Sequence, residues 1–379
     1  MPCLSTLLVA SRRLGLTWTR SSSAWGGLEP GGANVGYPNG RYIRGLTTRP
    51  SVLQRPIVVA AALALLFPPL AQVSWAGPPF AEFIDPHPAP GNNFGLTVVA
   101  LRTGNVVITS PYDDAGGTDA GAVYLFNGST GALISTLIGS SPGDSIGELG
   151  AGIDSGVTAL TNGNYVIRSP HWGSADLGAV TWGSGVTGVS GVVGPSNSLV
   201  GSNLNDLVGA DDSGSRAVTV LTNGNYVVNS ASWDDAASAD VGAVTWGNGT
   251  SGTVGVVSVS NSLVGSQSYD EVGYRVTALT NGNYVVSSPF WDGAALNLGA
   301  VTWGNGATGI VGVVSALNSL VGSMASDFVG YGGVTALSNG NYVVSSSYWS
   351  GTEAWTGAVT WGNGTTGTAG TVSASNSLV

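Results

Sequence analysis

The residues best suited to chemistry in this sequence are two loop clusters of aspartate: Asp113, Asp114 and Asp119, and Asp234, Asp235 and Asp240. Carboxylates this close could give part of the six to eight oxygens a Ca2+ ion takes. The remaining loops of the same kind lack the cluster, so a solvated acidic turn is the expected reading of both. The adjacent Asp211-Asp212 pair is a poor glycoside-cleaving couple, because neighbours on a strand point to opposite faces. The histidines beyond the N-terminal segment are His87 and His171, and neither lies in a motif. No His-Glu-x-x-His helix occurs, and the Gly-x-Ser-x-Gly matches at Gly139–Gly143 and Gly143–Gly147 precede no helical segment and so form no nucleophile elbow. Cys3 is the single cysteine and lies in a segment expected to be removed, which leaves no thiolate nucleophile and no cysteine zinc site. The expectation is a protein that is not an enzyme, with no cofactor and no metal site.

Tryptophan recurs at fixed places. Trp182, Trp246, Trp303 and Trp361 close one β-prone block, and Trp172, Trp233, Trp291 and Trp349 sit in a variable loop before it. The first set reads as packing between units, where a large ring fills a wedge. The second set is the candidate for ligand-facing aromatics, since loops are where binding concentrates. These positions belong to a longer repeat. The Asn-Gly-Asn-Tyr block starts at Asn162, Asn223, Asn281 and Asn339, in steps of 61, 58 and 58, with a degenerate copy from Thr103. A Gly-Ala-Val block starts at Gly121, Gly178, Gly242, Gly299 and Gly357. Five copies at a period near 60 predict a repeat architecture. Asp144, Asp206, Asp270 and Asp327 recur two residues before a Val/Ile-Gly pair and read as turn caps bonding their own backbone.

One unit reads as four short strands. Val276–Leu279 and Tyr284–Ser288 flank Asn281-Gly282, a type I′ hairpin signal. Ala300–Trp303 follows as a third strand, and Ile310–Ser315 with Leu320-Val321 supplies the fourth. No segment has a helical period. Four antiparallel strands per unit predict an all-β, β-propeller-like array of about five repeats. The alternative is a β-solenoid, against which the two-residue hairpins count, since solenoid coils run shorter and in parallel.

The first unit carries Asn93-Phe94-Gly95, Thr109-Ser110-Pro111 and Gly121-Ala122-Val123-Tyr124-Leu125-Phe126. It resembles the FG-GAP repeat of integrin α-chain propellers. Later units put Val208-Gly209, Val272-Gly273 and Val329-Gly330 in place of Phe-Gly and end in Thr-Trp-Gly. They look more like a repeat of filamentous-haemagglutinin-type exported bacterial proteins. The resemblance spans about residues 92–379 and implies a propeller-like fold. FG-GAP hairpins often bind calcium through Asp-x-Asp-x-Asp-Gly, but the hairpin here, Leu279–Asn283, has no carboxylate, so that site is not carried over. FG-GAP propellers usually close with seven blades. With five units here, a closed five-blade ring and an open array are the alternatives; the closed ring is the one expected, and it would bring the Phe80–Ile84 region beside the fifth unit.

Charge bounds the partners. The chain has no Lys, seven of its arginines precede position 56, and only Glu29 among its acids precedes Gly77. The remainder carries 20 acids against 4 arginines, a net −16. Such a surface repels phosphate backbones, so no nucleic acid is expected. Ile57–Phe67 is an apolar run flanked by Arg49 and Arg55, and Ser74-Trp75-Ala76 precedes Gly77. A basic flank, a short apolar core and a small-x-small site predict a cleaved secretory signal, and eleven apolar residues are too few to span a bilayer. The expected organisation is an unstructured leader, or sequence read from too early a start, at 1–56, a signal peptide at 57–76, a linker at 77–91 and a five-repeat domain at 92–379. The expected function is binding or adhesion by a secreted or cell-surface protein, toward an unknown protein or glycan. A secreted glycan-active enzyme, a structural spacer and a truncated product without function are the rival readings.

Overall fold

The computed structural model describes residues 81–149, 156–210 and 216–379. The leader, the signal segment and the linker up to residue 80 lie outside the described residues, as do Asp211 and Asp212. Within them the chain is all-β, in five sheets that follow the five sequence repeats. Repeat 4 illustrates the unit. Arg275–Ala278, Tyr284–Ser288 and Ala300–Gly304 form an antiparallel meander, and Ser319–Val321 pairs with the third strand as the fourth. Repeat 1 has a longer fourth strand, Leu133–Ile138, which follows the third directly.

Between the third and fourth strands the chain makes an excursion that the sequence reading merged into one strand. Gly312-Val313 leaves its own sheet and pairs in parallel with Ser262–Val264, the outer strand of repeat 3. Gly191-Val192, Gly255-Val256 and Gly370-Thr371 do the same to the repeats before them. Each of the first four sheets thus has five strands, one donated by its successor, and the fifth sheet has four. The donated piece is held by a side chain. Asn318 Nδ2 donates to the Val313 carbonyl at 2.9 Å, and Asn318 Oδ1 accepts from the Ser315 N–H at 2.8 Å.

A second lock is polar. The Gly306 carbonyl accepts from Asn223 Nδ2 at 2.8 Å, Asn225 Nδ2 at 2.9 Å and Trp246 Nε1 at 2.9 Å, all from the preceding repeat. Gly249 and Gly364 carbonyls receive the same three donors from repeats 2 and 4. Repeat 1 offers Thr103 and Asn105 to Gly185 instead. Glycine is required at Gly306 because a Cβ there would overlap the Gly282 carbonyl of its own repeat. Between the sheets lies an apolar layer. Leu279, Val285, Val301, Leu320 and Val329 of repeat 4 pack on Tyr342, Val344, Trp349, Ala358 and Val372 of repeat 5.

The hairpin is not the two-residue type I′ turn the Asn-Gly signal predicts. Leu279 N–H bonds the Asn283 carbonyl at 2.8 Å, and Gly282 N–H bonds the Leu279 carbonyl at 3.2 Å. Gly282 sits at φ 90°, while Asn281 is not in the left-handed region. This is a three-residue loop with the glycine at the bulge. It directs the Asn281 amide nitrogen at the next repeat, while Oδ1 accepts from Asn283 N–H within the turn. The Thr-Trp-Gly ending has a similar local cause. Tyr284 lies opposite Gly304 across the sheet, and a Cβ on Gly304 would meet the tyrosine ring. The ring covers the glycine, as aromatic residues do in sheets. In repeat 1 the bulk is on the other strand, with Val106 opposite Phe126.

The two ends of the array differ. The leading face of repeat 1, with Ile108, Ala122, Tyr124 and Phe126, is covered by Phe83 and Phe94 from the segment that enters the domain. Phe83 and Phe94 stand edge-on to Phe126 at 5.5 and 6.1 Å. The trailing face of repeat 5 is open. Val359 is 44% exposed where its counterpart Val301 is buried, and Leu378 is 79% exposed where Leu320 is 1%. Among the described residues neither Asn339 nor Asn341 finds a carbonyl for its side-chain amide. The expected ring closure is therefore corrected. Phe83 caps its own first repeat instead of meeting the fifth, because repeat 1 presents large aromatic rings there rather than the Tyr-over-Gly surface that a preceding repeat accepts.

The polar lock predicts an asymmetry along the chain. Asn281 and Asn339 make the same bond within their turns, to Asn283 and Asn341 N–H, but only Asn281 reaches across an interface. Asn281→Ala is expected to cost about 1 kcal/mol more than Asn339→Ala in urea unfolding, and equal losses would contradict the lock. Tyrosine burial gives a second expectation. Burial pushes the Tyr165 phenol up to about 12. It also raises Tyr226, Tyr284 and Tyr342, and it raises Tyr124 together with the hydrogen bond to Asp113. A folded state that holds these protons more tightly than the unfolded one binds more of them above the ordinary phenol value of 10.0. The stability they contribute is complete below that pH and is lost as pH rises through the folded values. Alkaline titration should show a fast-ionising tyrosine class, then a late class that appears only with loss of β-structure. Smooth titration of all tyrosines near 10.0 would refute this.

Candidate ligand-binding site

The strand order sends both variable segments of each repeat to one end of the sheets. These are the loop after the second strand and the connection after the fourth. The loop tryptophans expected to face a ligand lie here, but beneath the surface. Trp172, Trp233, Trp291 and Trp349 are buried, each in the apolar cluster between its repeat and the one before. They are corrected from exposed platforms to wedges, because the ring carries the largest apolar area available to fill the space beside the buried strands. The strand-end tryptophans Trp182, Trp246 and Trp303 also pack between repeats and donate their indole N–H to the next glycine carbonyl.

The acidic residues are largely engaged with backbone. Asp270 Oδ2 accepts from Ser266 and Gln267 N–H at 2.7 and 3.0 Å, and its Oδ1 accepts from Asp292 N–H in the next repeat at 2.8 Å. Asp144, Asp206 and Asp327 repeat the pattern onto Gly173, Asp234 and Ser350. The turn-cap reading of these residues is thus half of their role, and the other half ties one loop to its neighbour. Burial raises the Asp206 and Asp270 carboxyls above their ordinary range, against the N–H groups that lower them. In the clusters, Asp114 accepts from Asp119 N–H, Asp234 from Asp240 N–H, and Asp235 from Ala237 and Ser238 N–H. Asp113 accepts from Ala115 N–H and from the Tyr124 hydroxyl at 2.7 Å, and His87 Nδ1 lies 3.4 Å from that hydroxyl. His171 meets only Asp176, at 3.3 Å on the surface. Among the described residues no three of these side chains are grouped to hold a metal ion.

What the fold assembles at the loop end is an aromatic rim on repeats 4 and 5. Tyr274 stands edge-on to Phe290 at 5.2 Å, Phe290 to Phe328 at 6.0 Å, and Phe328 to Tyr348 at 5.8 Å. Tyr331 lies 5.2 Å from Tyr348 and completes a continuous strip. Tyr331 and Tyr348 are 41% and 40% exposed. On the same loop as Tyr348, Trp355 is 69% exposed and held at φ 55°. Repeats 1–4 place Asp119, Asp176, Asp240 and Asn297 at that position with the same positive φ. Asp and Asn tolerate this conformation, whereas a bulky residue is strained in it. An exposed tryptophan there serves neither the turn nor the core.

A cationic groove adjoins the rim. Arg216 and Arg275 line a space of about 390 Å³ along the first strands of repeats 2–4, with Thr158, Thr219 and Val276. The Arg275 guanidinium lies 5.9 Å from the centre of the Tyr274 ring, which joins groove and strip. Two further grooves, of about 550 and 590 Å³, share Asn203, Asp234 and Asp235 on the loops of repeats 2 and 3. They lie in an acidic part of the surface whose carboxylates already serve the loops.

Sequence reasoning missed the rim because it looked for what recurs. Phe290 and Tyr348 share a position with Tyr112 and His171, and Tyr331 shares one with Tyr274, whereas Phe328 and Trp355 depart from the repeat, where other units carry Leu207 and Glu271 or Asp176 and Asp240. Aligning the five units and scoring residues unlike their counterparts would have found Phe328 and Trp355.

The comparisons with known proteins concern the scaffold. Among curated proteins none matches the chain. A solved structure from Bacteroides caccae, of a protein of unknown function, is similar at 13% identity over 68% of this chain and 72% of that one. Its TM-score is 0.25, and the likeness carries no argument. A family model described as a repeat of unknown function matches residues 100–148, 159–210, 220–274, 278–331 and 336–379. Each of those five spans covers the second, third and fourth strands of one repeat, and the chain belongs to the DUF5650 repeat family.

Proposed function

We propose that this is an exported, adhesin-like bacterial protein that binds a glycan at the cell surface without transforming it. The observation that carries the reading is the aromatic strip ending at the exposed Tyr331 and Tyr348, with the exposed Trp355 on the same loop as Tyr348. Flat, partly exposed rings with hydroxyl or N–H edges suit the apolar faces and hydroxyls of sugars. Arg275 beside the strip adds a charge partner for a sugar carboxylate. Asp113, Asp114, Asp234 and Asp235 accept from backbone N–H groups, which leaves them poorly placed as a proton-donating and nucleophilic pair.

Binding to immobilised acidic and neutral polysaccharides, followed by titration with the best of them, tests the reading. Tyr348→Ala and Trp355→Ala are each expected to weaken binding about tenfold, or ~1.4 kcal/mol, with the unfolding midpoint unchanged. Arg275→Gln should weaken the acidic ligand more than the neutral one. Unchanged affinity in all three variants, or release of new reducing ends by the purified protein, would overturn the proposal. Export is tested separately. N-terminal sequencing of the protein recovered from producing cells should begin at or near Gly77, and a product retaining residues 57–76 would refute cleavage.

A further inference from the structure

We infer that the trailing face of repeat 5 is a docking surface for the leading face of one more repeat of this same family. Three separate features of that face are left without the partner they have elsewhere. The apolar layer is open. Val359, Trp361 and Leu378 are 44%, 52% and 79% exposed, while Val301, Trp303 and Leu320 are packed against repeat 5. The strand edge is open. Ser377-Leu378 is the outer strand of a four-stranded sheet, whereas the outer strand of each earlier sheet receives a donated pair of residues. The amide pair is open as well. Asn281 and Asn283 converge on the Gly364 carbonyl at 2.7 and 2.8 Å, and Asn339 and Asn341 stand in the same places without a carbonyl among the described residues.

The occupant follows from what fits all three at once. It must bring a Gly-x pair for the strand edge, a glycine carbonyl in a tight turn for the amides and Trp361, and a Tyr–Val–Trp–Ala–Val surface for the apolar layer. Repeats 2–5 carry that combination, and the interface they form is already present four times in the molecule. A second copy of this chain is a poor match. Its own leading face bears Tyr124 and Phe126 under the Phe83 and Phe94 cap. An uncovered edge strand with an apolar face is a liability for edge-to-edge pairing, and stacking arrays depend on such faces being covered.

The test appends residues 322–379 again after Val379, which keeps the phase of the repeat. A second chain appends residues 265–321 instead, so that poor folding of one added unit does not decide the outcome. Docking predicts slowed hydrogen exchange in Ala358–Gly362 and Ser377-Leu378, relative to the five-repeat chain, and a higher unfolding midpoint. It also predicts that Asn339→Ala, which in the five-repeat chain removes only the turn bond to Asn341 N–H, lowers the midpoint of the six-repeat chain further, as Asn281→Ala does. Exchange that stays as fast in both extended chains, or an Asn339→Ala loss no larger in them than in the five-repeat chain, would overturn the inference. So would sedimentation of the five-repeat chain as a dimer with these strands already protected, which would make the occupant a second copy.

Discussion

A single carbonyl oxygen per interface organises this array. In three of the four interfaces the glycine carbonyl accepts two asparagine amides and one indole N–H from the repeat before it. That convergence explains sequence features that otherwise look unrelated. The two asparagines of the hairpin are fixed by their reach, the tryptophan at the strand end by its N–H, and the glycine by the lack of space for a Cβ. Each is part of one contact, so none can drift alone. A half-satisfied network of this kind is worse than none, which gives a physical reason for the whole sentence to be copied intact.

Around this contact the chain crosses back on itself. The donated strand makes each sheet incomplete until the next repeat has folded, and the Asp270-type carboxylates tie each loop to the following one. Stability in such an array is the sum of weak units and strong interfaces. Here the interface terms include apolar layer, strand edge and side-chain hydrogen bonds together. With so much structure assigned to the sheets and their contacts, the loop end carries few of the constraints. Aromatic rings can collect there on repeats 4 and 5 without cost to the lock: Phe328 departs from the repeat, while Phe290 and Tyr348 keep a ring at a position that also holds Tyr112 and His171.

The fold class, the number of units and the burial of strand-end tryptophan follow from the sequence, because period and β-branched alternation are local signals that burial simply amplifies. The hairpin type did not follow. Asn281-Gly282 has the composition of a type I′ turn, but the asparagine amide is engaged across an interface and the turn gains a residue. The loop tryptophans did not follow either, since a ring in a variable loop reads the same whether it points out or in. Trp172, Trp233, Trp291 and Trp349 point in because the next sheet supplies a wall that no single repeat contains.

What the sequence by itself determined is therefore the repeating unit: its strands, its acidic charge, its lack of cysteine and histidine motifs. What only the tertiary structure decided is how units meet. The exchange of Gly312-Val313, the convergence on Gly306, the cap of Phe83 and Phe94, and the strip from Tyr274 to Tyr348 all join residues from different repeats or distant segments. Their partners are distant in sequence, and a hydrogen bond or ring contact between them leaves no periodic mark on the chain.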